Sequence, residues 1–517
     1  MKNIRQRRSV LALIKGMVSA VIFNVMIFSP QIHAQAVNGA TVYFDSACQV
    51  IRGFGAANIL PWRPDMTADQ VNTAFGTGDG QLGFTILRLR VPYTDDTTEF
   101  AAQVPSAALA ESMGAIVFAS PWTPPPAMKS NTNIVGGMLS ESSYADYAAH
   151  LKRFADYMAA HGAPLYAISL QNEPDANVTY ESCYWNATQF LNFTKNNAAS
   201  IGLRIIMPES ESFVHQLSDS TLNDSAAAAN VSIIGGHLYG ASPASYSLAT
   251  GKGKDLWMTE YLSLDTTWSG VLATGQQIND CMKAGMNAYV YWYIIRYYGP
   301  INENGIVTKR GYVMSQYSKF VRPGFTRVYT ASNVVRGPSI SFTAYRNNSQ
   351  LVIVAVNPSS SSTTQTFNIP RLTGGSAVFT PYVTSATKNC NQGINITASN
   401  DSLTATLDGS SITTFVANGV TTGVDAPMIP QTIKLSQNYP NPFNPTTQIA
   451  YTIPHAMHVS LKVYNLLGQE VATLVEGIRQ SGQYEVTFNA TGLASGIYLY
   501  RLSANNFSET KKLILLK

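Results

Sequence analysis

Two glutamates stand where a carboxylate can do chemistry. Leu165-Tyr166-Ala167-Ile168-Ser169-Leu170-Gln171-Asn172-Glu173-Pro174 reads as a short buried strand that ends in a carboxylate and turns at proline. Leu256-Trp257-Met258-Thr259-Glu260-Tyr261 has the same form. A carboxylic acid and a carboxylate at one site can protonate a leaving oxygen while the second attacks, or activates water against, the carbon it leaves. Cleaving a glycosidic bond requires that pair. The roles need different environments, with Glu173 protonated and Glu260 ionised. Burial raises a carboxyl pKa, and donors to the anion lower it. Arg88 and Arg90 are two apart, so they share one face of a strand, and one can sit under the nucleophile. Tyr239, in His237-Leu238-Tyr239-Gly240, can also donate to it. Asn172 can donate to a substrate hydroxyl. Trp122, Trp292 and Trp62 are candidates to stack on a sugar ring. His237 itself reads as a satisfied buried histidine.

These groups need a scaffold that gathers strand ends. Tyr144, Tyr147, Leu151, Phe154 and Met158 recur at spacings of three and four, one apolar helix face, and Gly162 and Pro164 stop that helix. From about residue 51 to 320 strand and helix patterns alternate. The strand candidates are 51–56, 85–91, 115–120, 165–171, 204–208, 231–235, 256–259 and 288–293. Eight βα units predict a closed (β/α)8 TIM barrel, with catalytic groups at the C-terminal strand ends. Glu173 and Glu260 are 87 residues apart. If they end strands four and seven, each unit spans roughly 29 residues, close to the ~31 of a 250-residue barrel.

The remaining 517-residue chain implies further domains. Residues 323–420 are rich in Ser, Thr, Asn and Val, with alternating runs such as Gln350-Leu351-Val352-Ile353-Val354-Ala355-Val356, and predict a β-sandwich side-domain. Residues 35–50 are expected to join it, leaving 51–322 for the barrel. Residues 421–430 read as a linker and 431–517 as a small all-β domain. Residues 1–34 read as an export signal: Lys2, Arg5, Arg7, Arg8 and Lys15 precede an apolar run, with small-residue cleavage sites near Ala34 and Ala36. Without them the formal charge falls from +4 to −1, so the basicity carries no signal for nucleic acid. Cys48, Cys183, Cys281 and Cys390 match no zinc pattern and can pair in an exported protein.

The ordered stretches Gly53-Phe54-Gly55-Ala56, Ser120-Pro121-Trp122-Thr123-Pro124-Pro125, Leu170-Gln171-Asn172-Glu173-Pro174, His237-Leu238-Tyr239-Gly240, Leu256-Trp257-Met258-Thr259-Glu260 and Tyr291-Trp292-Tyr293, with the run from Lys309 to Gly324, resemble glycoside hydrolase family 30. Within it they are most similar to bacterial xylanases that act on glucuronoxylan. The resemblance covers residues 45–420. It implies a barrel with an attached β side-domain and a retaining mechanism, with Glu173 as acid/base and Glu260 as nucleophile. It also implies that an arginine in the loop after strand eight grips the glucuronate branch. Arg310 matches that position, with Tyr312 beside it, and arginine suits a carboxylate because its fork binds bidentately. Those enzymes also use Tyr and Ser in the loop after the nucleophile. Here Tyr261-Leu262-Ser263-Leu264-Asp265 has a different spacing.

The tail from Leu435 to Pro445, Val463-Tyr464-Asn465-Leu466-Leu467-Gly468 and Gly496-Ile497-Tyr498 resemble the C-terminal sorting domain of type IX secretion. That implies passage across an outer membrane, then release or surface attachment. The expected protein is a secreted or surface-attached monomer. Its partners are a polysaccharide and a secretion machinery; no nucleic acid, cofactor or metal is expected. The rival readings are a family 30 xylanase without glucuronate dependence, a glucanase or glucosidase of that family, and a non-catalytic sugar-binding barrel.

Overall fold

The computed structural model describes residues 38–333, 340–370, 372, 376–420, 433–438, 440–453, 457–479, 482–504 and 507–516. The export-signal and linker expectations, residues 1–34 and 421–430, lie outside the described residues.

The chain opens on a long strand, β1 (Asn38–Val50). Eight parallel strands follow: β2 (Gly53–Ala57), β3 (Ile86–Val91), β4 (Ile116–Pro121), β5 (Ala167–Ser169), β6 (Arg204–Ser210), β7 (Ile233–His237), β8 (Asp255–Glu260) and β9 (Ala288–Tyr293). They close into a barrel through the β2–β9 pairing, with the register Gly53↔Ala288 to Ala57↔Tyr293. The TIM barrel expected from the alternation is therefore present. Gly55 permits the close approach of β2 to β3: a Cβ there would overlap the Ile86 carbonyl.

The apolar helix face is buried as its spacing predicts: Tyr144, Tyr147, Leu151, Phe154 and Met158 all face inward from Tyr144–Ala160. Gly162 ends that helix at φ +80°, in the left-handed region that glycine enters without strain. Inside the barrel, Ile86, Phe118, Ala167, Ile206, Ile233, Trp257, Ala288 and Val290 form an apolar plug below the strand ends. The polar strand ends therefore sit on a rigid floor.

β1 leaves the barrel and joins a ten-stranded sheet. It lies antiparallel to Thr326–Asn333 and parallel to Thr363–Asn368. That sheet folds back on itself where Ser376–Ser385 meets Ser411–Asn418. Strand Gln350–Asn357 is buried on both faces, for a physical reason. Leu351, Ile353 and Ala355 fill the sheet's own core, while Val352, Val354 and Val356 join the core of the barrel. The side-domain is thus docked through a shared apolar layer. The C-terminal segment forms a three-stranded and a four-stranded sheet around Leu435, Ile449, Tyr451, Leu461, Phe488 and Tyr500. All four cysteines are free thiols, so none of the pairings open to an exported chain is formed. Among the described residues no helix is long and apolar enough to cross a membrane.

Candidate active site

Glu260 is the last residue of β8, and Glu173 follows β5. One carboxylate oxygen of each lies within 4.8 Å of the other and of a His237 ring nitrogen. They line a cleft of about 510 Å³ with Trp62, Trp122, Tyr180, Glu211, Tyr239, Leu262, Trp292 and Tyr293. Trp122 packs edge-on to Trp62, with ring centroids 5.3 Å apart, and tilts against Trp292 at 5.8 Å. Apolar rings around two carboxylates suit a sugar, which offers apolar ring faces and polar edges.

Glu260 accepts a hydrogen bond from the Tyr239 hydroxyl at 2.8 Å and another from Arg88. Arg88 is fully buried, and it also donates to Asn172 Oδ1 at 2.6 Å and Ser120 Oγ at 3.2 Å. Asn172, whose oxygen is taken by Arg88, is buried and is not among the residues that line the cleft. Glu173 accepts from His237 Nδ1 at 3.0 Å and from the Tyr180 hydroxyl at 3.1 Å. Its backbone lies at φ +45°, a conformation costly for a residue with a Cβ, and its N–H donates to the Glu209 carbonyl at 3.0 Å. The two carboxyls titrate as a coupled pair. Burial raises both, but the His237 hydrogen bond and charge bring Glu173 below its ordinary value, while burial leaves Glu260 above its own. The two shifts run in the opposite sense to that expected of an acid Glu173 and an ionised Glu260.

Two residues that the sequence reading left out of the site belong to its charge network. His237 is fully buried, and besides Glu173 it lies 3.9 Å from both Glu209 and Glu260 through Nε2. Glu209, fully buried on β6, stands 3.4 Å from Arg88. It lies at the C-terminal end of its strand, the same region that carries Glu173 and Glu260, so the same signal was there to be read in Met207-Pro208-Glu209. Glu173, His237 and Glu260 are close enough together to surround a cation. His237 Nδ1 is already engaged by Glu173 at 3.0 Å.

The network carries a pH signature. Burial works to raise Glu209, but the Arg88 charge outweighs it and holds the carboxyl at about 2 against its ordinary 4.5. Burial works to lower His237, but Glu260, Glu173 and Glu209 hold it at about 9 against 6.5. A depressed acid stabilises the fold above its unfolded pKa and loses that as pH falls through its folded pKa. A raised base stabilises below its unfolded pKa and loses that as pH rises through its folded value. Both contributions are full between 4.5 and 6.5. Calorimetry is expected to show a thermal-stability plateau in that window, falling toward pH 2 and toward pH 9. Stability still rising above pH 8 would contradict it.

Other expected site residues lie elsewhere. Arg90 forms a two-pronged pair with Glu181 and pins a loop rather than facing the carboxylates. Tyr261 stacks on Tyr239 with centroids 5.8 Å apart and is not among the residues that line the cleft. Arg310 is not an open anchor, a correction to the expectation placed on it. It is 1% exposed at the start of helix Lys309–Ser318. Its guanidinium is spent on the carbonyls of Ser263, Asp265 and Tyr298, with further bonds to Tyr291 and Thr274. It thereby fixes the loop that carries Leu262. Tyr312 likewise misses the cleft and lines a separate cavity with Phe320 and Tyr382.

The chain is 40% identical over 417 residues to a glucuronoxylanase, XynC, of Bacillus subtilis strain 168, covering 78% of this chain and 97% of that one. The solved glycoside hydrolase family 30 subfamily 8 xylanase Xyn30A of Clostridium acetobutylicum is 41% identical, with TM-score 0.70, over 74% of this chain and 99% of its own. A family 30 endoxylanase of Clostridium papyrosolvens C71 is 38% identical, with TM-score 0.67, over 74% of this chain and all of that one. Residues 437–516 match the family described as a secretion system C-terminal sorting domain.

Proposed function

The chain belongs to glycoside hydrolase family 30, and we propose that it is a secreted, retaining endo-β-1,4-xylanase with Glu173 as acid/base and Glu260 as nucleophile. The observation that carries this reading is the separation of the two carboxylates, with oxygens within 4.8 Å. An inverting pair stands roughly 6.5–9.5 Å apart to admit a water, whereas a retaining pair stands at about 5–5.5 Å. Glu260 attacks the anomeric carbon as Glu173 gives its proton to the leaving oxygen. Glu173 then takes a proton from water, which displaces Glu260. Tyr239 and Arg88 hold the attacking carboxylate. The reaction starts with the pair's one proton on Glu173 and with Glu260 ionised.

For the xylan chain, the rings of Trp62 and Trp292 supply stacking faces, with buried Trp122 packed against both. For a glucuronate branch, the resemblance calls for an arginine in the segment between β9 and the helix Lys309–Ser318. Arg310 is spent, and Arg296 lies in that segment, partly exposed. Its charge and that of Arg63 act on Tyr293 of the cleft wall. Glu303 stands 3.3 Å from Arg296 and 3.8 Å from Arg63. We therefore assign branch recognition to Arg296, with the branch carboxylate replacing Glu303. A family 30 xylanase indifferent to glucuronate is the second reading, favoured by that existing pairing.

Product mass spectrometry from glucuronoxylan and from unbranched xylan separates the two. Arg296→Ala is expected to lower the preference for the branched substrate by roughly 10- to 100-fold, the worth of a charged hydrogen bond. Arg310→Met is expected to lower the melting temperature while leaving that preference intact. Equal cleavage of both polymers by the wild type would leave the xylanase and remove the glucuronate reading.

The tail supports export by a type IX machinery, followed by release or retention at the surface. The proposed boundaries are a signal at 1–34, side-domain strands at 35–50 and 323–420, the barrel at 51–322, a linker at 421–430 and the sorting domain at 431–517.

A further inference from the structure

We propose that Glu209 is a positioning residue for this reaction: a fixed anion below the two catalytic glutamates that keeps His237 an imidazolium and Arg88 in place. The proposal rests on the double-displacement reading above. Glu209 is fully buried and touches neither the cleft nor solvent. Its Oε1 lies 3.4 Å from Arg88 and 3.9 Å from His237 Nε2. Among the described residues its Oε2 and His237 Nε2 have no hydrogen-bond partner. A buried carboxylate so placed is an electrostatic fixture, since an unpaired buried anion survives only beside cations. Its backbone is held at φ +53°, and its carbonyl receives the Glu173 N–H at 3.0 Å, which ties the two glutamates' positions together.

The charge count gives this anion its function. With Glu173 protonated, Glu260 and Glu209 carry two negative charges, and Arg88 and His237 two positive ones. In the first displacement a bond forms between Glu260 and the anomeric carbon. The bond to the leaving oxygen breaks, and that oxygen takes the Glu173 proton. Glu260 is then a neutral ester and Glu173 an anion, so the sum is unchanged. One negative charge has moved from one side of His237 to the other. His237 faces both positions, at 3.0 Å from Glu173 and 3.9 Å from Glu260. It can neutralise the charge at either end only while it stays protonated. Buried as it is, it stays so because of the anions around it, and Glu209 is the one whose charge does not change during the cycle. The groups facing His237 are Glu173 after β5, Glu209 on β6, Glu260 on β8, Arg88 on β3 and Tyr239 after its own strand. Glu211 and Tyr180 lie beyond them at the cleft.

The test is the titration of His237, followed by NMR of histidine labelled at the ring carbon and assigned with His237→Asn. In the wild-type chain His237 is expected to stay protonated through pH 7. In Glu209→Gln its midpoint is expected to fall by more than about one unit, the scale of losing one close buried charge. With it, kcat is expected to drop roughly 10- to 100-fold with little change in KM. Glu209→Asp, which keeps the charge, is expected to recover part of both. A Glu209→Gln chain in which His237 titrates as in wild type overturns the proposal. If that variant does not fold, the wild-type titration still decides, since a His237 that loses its proton at or below its ordinary 6.5 overturns it too. A wild-type chain inactive on xylan, yet with a Glu209-dependent His237, would sink the proposed function and leave the charge linkage standing.

Discussion

Glu260→Gln is expected to lower kcat on xylan by about 10⁴-fold or more, the scale seen when a covalent nucleophile is removed. The substitution keeps the shape of the side chain and removes the attacking anion. Its effect on the fold is expected to be small. The site holds three carboxylates, Glu173, Glu209 and Glu260, against the two cations Arg88 and His237. A glutamine there keeps an oxygen that can accept from Arg88 and Tyr239. Arg88 keeps Asn172 at 2.6 Å and Glu209 at 3.4 Å. The melting temperature is therefore expected to stay unchanged or rise, as happens where a site is built at the expense of stability. Turnover at wild-type rates in a folded Glu260→Gln chain would refute the mechanism.

Arg88→Lys is expected to cost both activity and stability. The guanidinium reaches Ser120, Asn172, Glu209 and Glu260 at once from full burial. A lysine ammonium keeps the charge but is a single point on a flexible stem, so it cannot hold that fork. Losing a preorganised donor to a reacting carboxylate costs on the order of 10²–10³ in kcat. The acceptors left unpaired in the barrel cost about 1–3 kcal/mol. Assays and thermal melts on the same preparation check both. A variant with wild-type kcat would show that Arg88 only fills space.

Much of this arrangement is legible in the sequence because it follows from short-range rules. Strand-end carboxylates at barrel spacing lead to Glu173 and Glu260 at one cleft, and an i, i+2 pair on a strand puts Arg88 beneath it. The helix face at Tyr144–Met158 follows from a 3.6-residue period. What stays hidden depends on contacts far apart in the chain. Arg310 looks like an anchor by its place in a motif, yet carbonyls from the loops after β8 and β9 close around it in the fold. Arg90 has the same chemistry as Arg88, but Glu181 lies within its reach and Glu260 does not. His237 reads as a buried structural histidine because nothing local says that three carboxylates surround it. The order of protonation is likewise a property of the assembled cluster and not of either glutamate's neighbours in sequence.

The mechanism meets its most direct test in a trapped intermediate. A 2-deoxy-2-fluoro-xylobioside with an activated leaving group slows both steps but lets the first proceed, so a covalent glycosyl-enzyme accumulates. Intact-protein mass spectrometry is expected to show a gain of one fluoro-xylobiosyl group. Peptide mapping is expected to place it on Glu260, and Glu260→Gln to show none. An active wild-type enzyme that forms no adduct and releases its first product with inverted anomeric configuration would contradict the double displacement. An adduct on any other residue would contradict the assignment of Glu260.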